Sequence, residues 1–61
     1  MAGDDKRITL WMNLDEVNEG KYGKVTNKEW LEKERDRINK TGRRCEIVIN
    51  PFNSTAAIFY K

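Results

Sequence analysis

Apolar and polar positions alternate along Arg7-Ile8-Thr9-Leu10-Trp11-Met12. A period of two predicts a strand, with Ile8, Leu10 and Met12 on one side and Arg7, Thr9 and Trp11 on the other. Residues 13–25 carry few large apolar side chains and two glycines, Gly20 and Gly23. They read as a loop, with a helical turn over Leu14 to Val17 as the most structure expected there. A helix follows. Thr26 or Asn27 serves as its N-cap, Glu29 completes a capping-box spacing from Thr26, and Gly42 stops it after a basic last turn. Its apolar stripe is thin: Trp30, Leu31 and Ile38 are the large apolar positions, and Glu34 and Arg35 fill the turn between them. Cys45 to Ile49 then reads as a strand, Asn50-Pro51-Phe52-Asn53-Ser54 as a turn and Thr55 to Tyr60 as a second strand, which together make an antiparallel hairpin.

The expected fold class is α+β: a small β-α-β-β domain, 1–61, with an antiparallel sheet and one helix packed on one face. Residues 1–6 are expected to fray. Alternation directs Ile8, Leu10, Met12, Cys45, Ile47, Ile49, Ile58 and Tyr60 to the helix and leaves Trp11, Val48, Ala57 and Phe59 on the other face. One helix cannot cover both faces of a three-stranded sheet. The second face therefore exposes an aromatic and aliphatic patch of the kind that marks association surfaces.

Composition sharpens that expectation. The chain has 61 residues, 38% hydrophobic and 36% charged, with one Cys and no His. Without histidine the commonest general base and zinc ligand is missing, and a lone cysteine excludes an intrachain disulfide. Below roughly 70 to 80 residues a core seldom supplies more than about 3 to 5 kcal/mol, so a second copy of the chain is expected to complete the domain as a homodimer.

Catalytic candidates are weak. The carboxylate pairs Asp15 with Glu16 and Glu32 with Asp36 read as solvated surface, and Cys45, on a strand with no base, as a small core residue. No catalytic, metal or cofactor site is expected. Helix pairs Glu29 with Lys33 and Asp36 with Lys40 fit a solvated face. Arg35, four residues after Leu31 and three before Ile38, is expected either to snorkel from the stripe or to pair with a partner's carboxylate.

Charge is uneven. Residues 1–20 hold two basic and five acidic side chains, and residues 21–61 hold ten basic and five acidic ones. Gly20-Lys21-Tyr22-Gly23-Lys24 combines permissive backbone, cations and a stacking ring, a composition suited to nucleic acid. Its GxxG form, with the helix, Thr-Gly, strand cadence of residues 38–49, resembles the clamp of KH domains, which implies single-stranded nucleic-acid contact through Lys21, Tyr22 and Lys24, with Arg43 and Arg44 beyond. The spacing from Gly23 to Thr41-Gly42 is longer than that pattern has. Residues 6–12 resemble the first strand of ribbon-helix-helix repressors, in which strands of two protomers pair, although a hairpin stands here where those proteins have a second helix.

The N-terminus lacks a basic start and an apolar run, so a cytoplasmic protein with no membrane contact is expected, and the sequons at Asn39 and Asn53 are read as coincidence. The overall expectation is a non-enzymatic binding protein of inhibitor or adaptor type, a class that phages and mobile elements also encode. It would occlude or bridge a protein surface through Trp11, Val48, Phe59 and Arg35. The competing expectation is a nucleic-acid-binding regulator that uses the 20–24 loop or the exposed sheet face, with Trp11 and Phe59 as stacking platforms flanked by Arg7 and Lys61.

Overall fold

The computed structural model describes residues 6–61, and the fraying expected of residues 1–5 lies outside them. Six elements follow in order: β1 (Met12–Asn13), β2 (Val17–Gly20), β3 (Gly23–Thr26), α1 (Asn27–Lys40), β4 (Cys45–Asn50) and β5 (Thr55–Tyr60). β1, β5 and β4 form an antiparallel sheet in that spatial order, and β2 pairs with β3 as a separate antiparallel hairpin. The protein is thus an α+β fold with one helix on one face of an antiparallel sheet.

The helix begins and ends where local chemistry dictates. Thr26 is extended and its hydroxyl accepts from the Glu29 N–H at 3.2 Å, which satisfies one of the free donors of the first turn. Gly42, at φ +95°, turns the chain out of the helix in a conformation that costs glycine nothing. Leu31 and Ile38 bury the apolar stripe against Cys45, Ala56 and Ile58, with Ile8, Met12, Leu14, Trp30 and Ile47 packed around them. Leu31 and Ile58 are fully buried, each contributing about 1.5 to 3 kcal/mol by leaving water.

Three expectations are corrected. The 13–25 loop is largely a hairpin: Gly20 pairs with Gly23 across a Lys21-Tyr22 turn, and β2 and β3 lie against the helix. Gly23 takes φ +81° directly after the turn, a left-handed conformation that glycine adopts without steric cost. The likeness to a KH clamp fails on this point, because these glycines close a β-hairpin.

The first strand is also broken. Arg7 bridges Phe59 and Met12 pairs with Ala56, so two more residues lie between those positions on the first chain than on β5. The bulge holds Thr9, Leu10 and Trp11. The Thr9 hydroxyl accepts from the Ile58 N–H at 3.1 Å, taking the place of a backbone partner. Leu10, expected on the helix face, turns outward and is 75% exposed. Ile49, on the helix-side face by register, is exposed as well. Finally, the helix pairs Glu29 with Lys33 and Asp36 with Lys40 do not form. Ion pairs among the described residues are Lys21–Glu34, Arg37–Glu34 and Arg35–Asp36.

The Cα envelope measures 30 × 30 × 13 Å, a thickness that accommodates one layer packed on the sheet and no third layer. Among the described residues no helix is long and apolar enough to cross a membrane.

Candidate functional site

The sheet face away from the helix is built in rows. Register places Val48 opposite Ala57, and continuing the β1 register sets Trp11 beside Ala57 on its other side. The next row runs Arg7, Phe59, Glu46. A polar row, Asn13, Thr55 and Asn50, borders the apolar one. Trp11 and Phe59 meet with ring centroids 5.6 Å apart at an interplanar angle of 59°. Tilted contacts of this kind suit the ring quadrupoles. Ala57 is fully buried on this face, while Trp11 and Val48 are 39% and 36% exposed. The surface is therefore an aromatic pair and a valine, bounded by Arg7 and Glu46 on opposite sides of Phe59. Trp11 owes its place to the bulge, which carries it over the sheet next to Phe59.

The helix side presents a contrasting cluster. Glu34 is buried, three residues from Leu31 and four from Ile38, so the helix aims it at the interior. Its carboxylate accepts from the Tyr22 hydroxyl at 2.7 Å, the Arg37 Nε at 2.7 Å and the Lys21 Nζ. The Arg37 hydrogen bond leads the effects that hold its pKa at about 2, assisted by Lys21 and Tyr22 against the opposing effect of burial. Burial and the bond to Glu34 push the Tyr22 hydroxyl up. Trp30 completes the cluster, edge-on to Tyr22 at 6.0 Å with the Lys21 ammonium 5.7 Å from its ring. This arrangement fastens the hairpin to the helix.

Residues chosen for nucleic-acid contact are dispersed. Lys21 and Tyr22 close on Glu34, while Lys24 is exposed on β3 across from Glu19. Arg43 donates to the Tyr60 hydroxyl at 2.9 Å, at the rim of an open hollow of about 370 Å³ lined also by Ile8, Arg37, Ile38 and Thr41. Arg44 is exposed. Arg35 lies on the helix, so it does not join the Trp11, Val48 and Phe59 surface, and its guanidinium bonds the adjacent Asp36 at 3.1 and 3.2 Å. Cys45 is buried, with its thiol 3.5 Å from Asn39 Oδ1 and pushed up in pKa chiefly by burial, an environment that suppresses thiolate chemistry.

Sequence reasoning passed over two residues. Glu34 sits at a stripe position, and its spacing from Leu31 and Ile38 is the signal that marks it as buried. Phe52, at the β4–β5 turn, is 97% exposed. Compared with known protein families, curated proteins and solved structures, the chain matches none.

Proposed function

We propose that this chain is a small non-enzymatic binding domain that acts by covering the surface of another protein, as inhibitors and adaptors do. One observation carries the reading: Trp11 and Phe59 meet on the sheet face that bears no helix, Trp11 in the row of Val48 and Phe59 between Arg7 and Glu46. Aromatic side chains presented on a rigid sheet lose little entropy on binding and dominate protein interfaces. A charge of each sign at the flanks of Phe59 orients a partner without attracting polyanions in general. Its partners in this reading are a protein with a complementary apolar stripe and a second copy of the chain.

The nucleic-acid reading draws less support, because Lys21 and Tyr22 already serve Glu34. Tagged protein tests both against source-cell lysate with and without nuclease. The expected result is a stoichiometric protein that survives nuclease and is lost with Trp11→Arg or Phe59→Asp, while Lys24→Ala with Arg44→Ala leaves it bound. Capture that vanishes with nuclease, or that falls steeply between about 50 and 200 mM salt, would overturn the proposal.

A further inference from the structure

The free edge of β4 has a hydrogen-bond pattern that its backbone partners reveal. Ile58, opposite Ile47, gives its carbonyl to the Ile8 N–H at 2.7 Å and its N–H to Thr9, so both its backbone groups point away from β4. Ile47 therefore points its own N–H and carbonyl away from β5, out of the sheet. By alternation so do Cys45 and Ile49, whereas Glu46, Val48 and Asn50 bond to β5. Two contacts agree with this phase: the Cys45 N–H donates outward to Asn39 Oδ1 at 3.1 Å, and the Arg44 carbonyl accepts from Lys61 at the end of β5. The N–H and carbonyl groups of Ile47 and Ile49 meet no described residue.

We propose that this edge pairs with the same edge of a second copy, antiparallel about a two-fold axis at Val48, so that two three-stranded sheets become one of six. Only this centre answers all four outward groups of Ile47 and Ile49. Ile47 pairs with the partner's Ile49 and the reverse, which makes four hydrogen bonds and leaves Cys45, already capped by Asn39, outside the pairing. Centring on Ile47 instead would set Ile49 against the partner's capped Cys45 and strand its carbonyl. Side chains agree with the backbone. Ile49, 57% exposed, gains the partner's Ile47 as an apolar neighbour on the helix side. Val48 meets the partner's Val48, joining the two aromatic faces into one surface. Glu46 falls opposite the partner's Asn50, so no like charges face each other.

The assembly closes at two copies because the opposite edge of the sheet is a two-residue strand next to a bulge, a poor template for further pairing. Edge pairing is independent of partner capture by Trp11 and Phe59.

Light scattering across a concentration series tests the pairing, with an expected mass of twice the 7.2 kDa chain. Ile49→Pro removes an outward N–H and no β4–β5 bond, so it keeps the fold by far-ultraviolet circular dichroism and weakens self-association about 50-fold or more. Val48→Cys in a Cys45→Ala background oxidises to a covalent dimer, since opposed residues in a non-hydrogen-bonded pair lie about 4.5 Å apart at Cα, within disulfide reach. Glu46→Cys in the same background does not, because its counterpart is about 13 Å away along the strand. A chain that stays at 7.2 kDa up to about 1 mM overturns the proposal, as does a dimer that survives Ile49→Pro or cross-links equally through position 46. Should Ile49→Pro unfold, the two cysteine variants decide. Loss of dimer with retained partner capture would fault this inference alone.

Discussion

The two sides of the sheet solve opposite problems. On the helix side a charged group is buried and met by three donors: Glu34 holds Lys21, Tyr22 and Arg37 and binds the hairpin to the helix. On the far side the groups are apolar and partly in water: Trp11, 39% exposed, leans on a half-buried Phe59. The difference teaches where to look for work in a domain this small. A buried carboxylate whose oxygens already accept three hydrogen bonds is architecture, since its bonding is turned inward to hold two elements together. A partly exposed aromatic pair on a sheet face still has surface to give away.

The sharpest way to break this division is through stability. Leu31→Ala, at a fully buried position on the helix side, is expected to cost about 3 kcal/mol, enough to leave a domain of this size largely unfolded in a denaturant titration. Glu34→Ala should cost about 2 kcal/mol, a figure held down because Lys21 and Arg37 are half exposed and regain water. The same carboxylate sets a pH dependence. Its folded pKa of about 2 lies below the ordinary value of 4.5, so its contribution is complete above about pH 5 and fades as the pH falls toward 2. Glu34→Gln should flatten that acid limb in thermal melts. At the small end, Trp11→Ser should cost less than about 1 kcal/mol while abolishing capture of a partner. Should Trp11→Ser destabilise more than Glu34→Ala, the far face is core and the division collapses.

How much of this was legible in the chain depends on how local the cause is. Thr26 and Gly42 act within their own turns, and the helix begins and ends beside them. β4 and β5 are apolar runs joined by a short turn segment, and their antiparallel pairing follows from that. Val17-Asn18-Glu19-Gly20 and Gly23-Lys24-Val25-Thr26 do not alternate. Their hairpin depends on Trp30 and Glu34, which are distant in sequence, so no short window announces it. The bulge at Thr9 to Trp11 was hidden for a related reason. A pair of inserted residues preserves the face of Ile8 and Met12, and alternation alone cannot register it. Trp11 reached the far face as expected, while Leu10 did not reach the core.

The two tryptophans have a practical consequence as optical probes. Trp30 sits in the polar cluster beside Tyr22 and Lys21, and Trp11 sits on the opposite side of the sheet beside Phe59. Each variant with one of them replaced by phenylalanine becomes a single-channel fluorophore. Acidification should then change the emission of Trp30 as the carboxylate beside it gains a proton, and association through the aromatic face should shift the emission of Trp11 to the blue. The molecule carries its own pair of dyes, one for each half of the comparison.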